Sequence, residues 1–301
     1  MNETTDSDPL RFRSGFAGII GAPNAGKSTL LNRMIGEKIS ITSQKPQTTR
    51  NRILGVVHRP QAQIAFIDTP GIHNPKGLLN QKMVETAFST LSDVDLILFV
   101  IDAETPKEKP EELILSSLKN FQKPVILAVN KIDKIKKHLL LPIIEGWRSR
   151  RSFETIVPLS AKSGQQVDLL LEKMEALLPE GPPFFPEDTL TDLPERFIVA
   201  EMIREKIFRL TGQEIPYAIA VTIDAFSMKN KKAVIHAVIH VEKESQKGII
   251  IGKGGAKLKQ IGQDARQEIE RLLSAKLFLD LKVRVQKNWS DDTRALRKLG
   301  Y

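Results

Sequence analysis

Residues 21–29 read GAPNAGKST, and few folds can hold such a stretch. It follows the apolar run FAGII and opens a helix-like pattern at 27–35. The spacing G-x-x-x-x-G-K-[ST] puts Gly21, Gly26, Lys27 and Ser28 at a strand-to-helix turn. There the glycines let the backbone curl until successive N–H groups point at phosphate oxygens, and the helix N-terminus adds positive potential. Lys27 is set to reach the β- and γ-phosphates of a nucleotide, and Ser28 to give an oxygen to Mg2+. The contacts expected at this turn are Gly21, Ala22, Pro23, Asn24, Ala25, Gly26, Lys27, Ser28 and Thr29.

A turn of this kind needs a parallel sheet around it. Residues 14–178 supply one, with the short apolar runs FAGII, AQIAFID, DLILFVID, PVILAVN and ETIVPLS bounded by polar turns. Helical patterns near 27–35, 78–90, 110–119, 139–150 and 166–178 separate them. The alternation predicts a doubly wound α/β unit over residues 14–180, after a polar tail at 1–13. Ligands of such sheets sit beyond the C-terminal strand ends, and three further motifs fall there. DTPG ends AQIAFI, placing Asp68 toward Mg2+ and the Gly71 amide toward the γ-phosphate, with Thr69 and Pro70 between. NKID follows PVILAV. Asp133 suits the two adjacent N–H donors of guanine, Asn130 braces the loop or the base, and Lys131 lies between them. SAK, residues Ser160, Ala161 and Lys162, ends the next strand and offers a backbone N–H to the guanine oxygen.

In this order the motifs resemble the translation-factor-related GTPases. The resemblance implies GTP and GDP rather than adenine nucleotides, one Mg2+ and two switch segments. SQKPQTTRNR at 43–52 matches the family's first switch, in which Thr48 or Thr49 supplies a Mg2+-binding hydroxyl; Thr49 is favoured. The metal set is then Ser28, Thr49 and Asp68, and the residues expected to carry hydrolysis are Lys27, Asn24 and Thr49. Position 72 departs from the pattern of Ras-like GTPases, where a glutamine orients the attacking water. Here it is Ile72, which cannot hydrogen-bond water, so slow intrinsic hydrolysis is expected. Two readings of Asn24 stand side by side. It forms the loop, or, as the resemblance implies, K+ acts beside it where an arginine finger would.

PEGPPFFPEDTLTDLP at 179–194 has five prolines in sixteen residues and reads as a stiff linker, with 181–194 between two domains. Beyond it, 195–211 is amphipathic through Val199, Ile203, Ile207 and Leu210, and Gly212 is the expected stop. The strand-like runs YAIAVTIDAF and AVIHAVIHVE follow, then GIIIGKGGAKLK, a helix at 256–273 and the alternating strand LFLDLKVRVQ. These predict an α+β domain over 195–301. The last 73 residues hold 17 Lys/Arg against 8 Asp/Glu, a surplus equal to the +9 of the whole chain, which points to a polyanion. GIIIGKGG has no serine or threonine after a G-K pair, so it is not a second phosphate loop. Its G-x-x-G, Gly252, Lys253, Gly254 and Gly255, between a short Ile-rich helix and a longer one, resembles a type II KH domain. The expected contacts are backbone against glycine, phosphates on Lys253 and Lys257, and bases along Ile250, Ile251 and Leu258. His236 and His240 share a strand face without further ligands and read as structural.

The chain has no cysteine, which excludes disulfides and thiolate metal clusters and fits a reducing compartment. The polar, acidic N-terminus has no signal-peptide core, and no apolar run reaches membrane-span length. Together the two domains resemble the Era-type GTPases of bacteria, over residues 14 to about 290. The resemblance implies a cytoplasmic, monomeric GTPase of small (30S) subunit assembly that binds the 3′-terminal region of 16S rRNA through its KH domain. Loose inner-membrane association also comes with the family; no residue of this sequence points to it. The rival is a GTPase whose C-terminal domain docks a protein or an anionic membrane.

Overall fold

The computed structural model describes residues 12–43, 48–72, 77–119, 121–211, 215 and 219–301, and the side chains of all of these but Thr90 and Leu91. Most of the 1–13 tail, positions 44–47 of the first switch, the Gly212 stop and the start of the YAIAVTIDAF strand lie outside the described residues.

The N-terminal unit is a six-stranded sheet in the order β2-β3-β1-β4-β5-β6. Its strands are β1 (Arg13–Gly21), β2 (Ile53–Arg59), β3 (Ala62–Asp68), β4 (Leu96–Asp102), β5 (Val125–Asn130) and β6 (Thr155–Pro158). All pairings are parallel except β2 with β3. The central strands are buried throughout because helices cover both faces. On one face, Leu30, Leu31 and Met34 of α1 (Lys27–Ile35) and Leu170, Leu171 and Met174 of α5 (Val167–Glu175) pack on Ala17, Ile19 and Leu98. On the other, α2 (Leu78–Ser92), α3 (Glu108–Leu118) and α4 (Leu140–Arg148) bring Ala87, Ile114 and Trp147 against Ile97, Phe99 and Ile101. Strand β2 goes beyond the five strands that the apolar runs predict: it is an antiparallel edge built from ILGVVHR.

The C-terminal unit has a three-stranded sheet, β7 (Ile219–Lys229), β8 (Lys232–Val241) and β9 (Lys276–Val285), in that order. β7 pairs antiparallel and β9 parallel with β8, so β9 is an edge. Three helices, α6 (Glu195–Leu210), α7 (Glu244–Ile251) and α8 (Ala256–Leu273), share its core through Val199, Ile203, Ile250, Ile261 and Ile269. The C-terminus adds α9 (Thr293–Lys298). No helix of the described residues is long and apolar enough to cross a membrane.

Three features of the junction go beyond the sequence reading. First, α6 is not one-sided: every residue from Ile198 to Phe208 is buried, including Glu201, Arg204, Glu205 and Lys206. Its polar side faces the N-terminal unit rather than solvent. Second, residues 184–191 are not a free-standing joint. They run along β2 and β3, with the Val56 amide bonded to Leu190 O (2.9 Å), Gln63 bonded to both Phe184 and Phe185, and Phe184 stacked on Phe16. Third, the basic C-terminal tail is docked within the protein. Leu296, Leu299 and Trp289 pack against Leu79 and Met83 of α2.

Candidate nucleotide and RNA sites

The phosphate turn is built as its glycines require. Gly26 has φ 98°, and a Cβ there would stand 2.2 Å from Asn130 Nδ2. That amide donates to Ala25 O (2.8 Å), while Asn130 Oδ1 accepts from the amides of Lys131 (2.8 Å) and Ala161 (3.0 Å). Asn130 therefore ties three motifs, the phosphate turn, NKID and SAK, at one buried point. Lys131 takes a left-handed conformation (φ 67°) and its amine reaches Asp102 (2.5 Å), which leaves Asp133 exposed beyond the strand ends. Ser160 is fully buried and its hydroxyl accepts from the Ser163 amide (3.2 Å), and Lys162 is exposed. Asn24 is left-handed (φ 68°), so it shapes the loop whatever else it does.

Four side chains converge where the phosphates are expected. Lys27 Nζ donates to Gly21 O and Ala22 O (3.1 Å each). Burial lowers its pKa to about 8, opposed by Asp68. Ser28 Oγ lies 2.8 Å from both Asp68 Oδ2 and Thr49 Oγ1. The Thr49 hydroxyl thus stands at this point. Asp68 is fully buried, and its Oδ1 has no hydrogen-bond partner among the described residues. Burial pushes its pKa up to about 6, against the pull of Lys27. A hard oxygen donor set with one unsatisfied carboxylate oxygen fits Mg2+. No group of three His, Cys, Asp or Glu among the described residues forms another metal site; His236 bonds Asp280 and His240 bonds Thr222.

The pH dependence follows from Asp68. Its folded pKa lies above the ordinary value, so without a cation its ionisation costs stability as pH rises from about 4 to about 6. Protons and Mg2+ compete for it. Apparent Mg2+ affinity, titrated by calorimetry, is expected to fall by about tenfold per pH unit below about 6, and more steeply than in Asp68→Asn. Equal slopes in the two proteins would remove Asp68 from the metal set.

The remaining DTPG residues hold the segment down. Thr69 spends its hydroxyl on Ile19 O (2.8 Å) and is fully buried, so its side chain braces β1 rather than facing a ligand. Pro70 is buried, and Gly71 sits so close to Pro23 that a Cβ would meet its Cα at 2.9 Å. Ile72 is fully buried in the sheet core and its amide donates to Gly21 O (3.2 Å). Ile72 is thus committed to packing and has no group to hydrogen-bond a water.

The G-x-x-G loop closes α7 and opens α8 with three positive φ angles, at Gly252 (71°), Gly254 (59°) and Gly255 (80°). A Cβ added at Gly254 or Gly255 would meet nothing within 4 Å, so the backbone of a ligand can approach. Lys253 is exposed, and Ile251, Lys257 and Leu258 are half-buried beside it. Ile250 is the correction here: it is fully buried in the domain core and supports the loop from beneath instead of lining a groove.

Sequence reasoning missed the residues that join the two sites. Arg204 of α6 grips Glu201 and donates from Nη2 to Thr48 O (2.5 Å), next to Thr49. Glu205 accepts from the Thr42 amide (3.3 Å) and hydroxyl (3.2 Å) and pairs with Lys38. Arg50 donates to Ile219 O (2.6 Å) and lies over the rings of Trp289 and Tyr301. The first switch is thus held by the C-terminal unit. The available signal was the charge crowded into EMIREKIFR, whose buried partners are distant in sequence.

Comparison with known proteins agrees with this geometry. Residues 16–131 match the family model described as a 50S ribosome-binding GTPase, and residues 214–290 match a KH domain. GTPase Era of Geotalea uraniireducens (strain Rf4) is 55% identical over 292 residues, covering 97% of this chain and 98% of that protein. The chain belongs to the Era family of GTPases. Era of Geobacter metallireducens (strain ATCC 53774 / DSM 7210 / GS-15) is 54% identical over 96% of the chain. The fold matches a point variant of Aquifex aeolicus Era bound to GDP.AlF4- with a TM-score of 0.92, at 44% identity, over 96% of this chain and 99% of that one. An Era complex with MgGDPNP and nucleotides 1506–1542 of 16S ribosomal RNA matches with a TM-score of 0.93 and the same identity and coverage.

Proposed function

We propose that this chain hydrolyses GTP through residues 14–180 and binds the 3′-terminal region of 16S rRNA through residues 195–301, in assembly of the small ribosomal subunit. The observation that carries the reading is the grip of α6 on the first switch and the residue before it, Arg204 on Thr48 O and Glu205 on Thr42, which joins a nucleotide pocket to a G-x-x-G domain. In the pocket, backbone amides of residues 22–28 and Lys27 receive the phosphates. Asp133 takes the guanine N–H pair, with Asn130 holding its loop in place. Ser28, Thr49 and Asp68 hold Mg2+, which when bound offsets charge on the phosphate oxygens. Because Ile72 is buried, water is oriented by something other than that side chain. Beyond shaping the loop, Asn24 would hold K+ as an added positive charge.

Steady-state GTP turnover tests both the enzyme and the ion. Mg2+-dependent hydrolysis is expected, slow, and faster in KCl than in NaCl at matched ionic strength. Equal rates in the two salts remove K+ and leave Asn24 as a loop-former; absence of turnover removes the enzyme.

A further inference from the structure

The sheet of the C-terminal unit has a second face, turned away from α6, α7 and α8. Cross-strand pairing places Lys229, Lys232 and Lys276 together at one end, then Ser227, Val234 and Phe278, then Ala225, His236 and Asp280. Lys282 and Arg284 continue the same face along β9, whose alternate residues Leu279, Leu281 and Val283 turn to the core. At the His240 end β7 and β8 are covered, with His240 only 6% exposed and Ala220 packed with Trp289, while Arg284 beside His240 on the edge strand β9 stays exposed. The hairpin end is open: Phe278 is 61% exposed and Val234 36%. The His236 ring meets Phe278 edge-on, with centroids 6.2 Å apart. Asp280 is the single carboxylate among these residues; it is engaged by His236 (3.1 Å) and lies 3.9 Å from Lys282 Nζ, a pair that a phosphate would replace.

We propose that this outward sheet face is a second single-stranded RNA surface, on which a base stacks on Phe278 while Lys276, Lys282 and Arg284 hold phosphates. A flat apolar ring surrounded by cations is the pattern that binds nucleic acid without reading its sequence. Continuity adds to the charge complementarity. β9 is the sheet edge and lies beneath α8, where Gly262 touches Leu281. A strand leaving the G-x-x-G loop therefore needs only to round that edge to meet Lys282 and Phe278. The inference rests on the RNA reading above and extends it to a longer footprint.

Two RNAs separate the surfaces. One has about six nucleotides, enough for the four that a KH loop clamps; the other carries nucleotides 1506–1542 of 16S rRNA, the segment in the solved Era complex. Phe278→Ala is expected to weaken the long RNA by about tenfold. Lys276→Gln with Lys282→Gln is expected to lower the slope of log affinity against log salt by about 1.4. Both variants keep the short RNA within about twofold of wild type, and both keep the wild-type denaturation midpoint, since these side chains point outward. Gly255→Asp weakens both RNAs. Unchanged long-RNA affinity and salt slope in the sheet variants would overturn this proposal alone, as would loss of binding to phosphatidylglycerol-containing vesicles with RNA binding intact. A wild-type protein that holds neither RNA would overturn the RNA reading with it.

Discussion

Replacing Asp133 with asparagine is expected to lower GTP affinity by about two orders of magnitude and to make xanthosine triphosphate the better ligand. Guanine offers two adjacent N–H groups, and a carboxylate accepts both. A hydrogen bond to a charged group contributes about 1.5–3 kcal/mol, so losing one and weakening the other accounts for that factor. The asparagine NH2 then opposes the guanine N2 donor but satisfies the carbonyl that xanthine carries there. The scaffold should survive the change. Asp133 is exposed in a single turn after β5, and the turn is anchored by Asn130 and by the Lys131–Asp102 pair rather than by Asp133. Competition titrations with the two nucleotides check this, and unchanged GTP affinity would refute the assignment.

Arg204→Ala has the largest expected effect at the junction. The arginine is fully buried, and its removal takes from Glu201 the guanidinium that is hydrogen-bonded to both its carboxylate oxygens. Breaking a buried pair in this way costs about 3–5 kcal/mol, which chemical denaturation should register. The functional consequence is separate. Thr48 O loses its tie to α6, so Thr49 is no longer held beside Ser28 and Asp68. Affinity for a GTP analogue is expected to drop by about tenfold or more, whereas GDP affinity stays within about twofold, because the first switch answers to the γ-phosphate and its metal. Arg204→Lys restores the charge opposite Glu201 but cannot span both Glu201 and Thr48 O, so it recovers stability more than GTP binding. Equal loss for both nucleotides would mean that Arg204 only glues the domains.

Elements whose signals are local were readable in the chain. The helices at 27–35 and 256–273 have the expected limits, because each begins beside a glycine of positive φ and carries a continuous apolar stripe. Asn130 meets the phosphate turn and SAK, since a parallel sheet brings every strand end to one side. What was not readable depends on partners far away in sequence. Periodicity marks Ile203 and Ile207 as buried, but nothing in it says that Arg204 and Glu205 are buried too, against Thr48 and Thr42. RALRKLGY reads as a basic tail that touches RNA or nothing, yet Leu296, Leu299 and Tyr301 close over α2. Ile250 and Ile251 are equivalent in composition; only the turn of α7 decides which one enters the core.

Nucleotide state is expected to set RNA binding through the α6 contact with the first switch. This coupling is tested most directly by the affinity of the intact protein for the 3′-terminal 16S rRNA segment, measured at one salt concentration with Mg2+ and either a GTP analogue or GDP. Tighter binding in the GTP-analogue state, with the difference lost in Arg204→Ala, is the predicted result. Equal affinity in the two nucleotide states would contradict it.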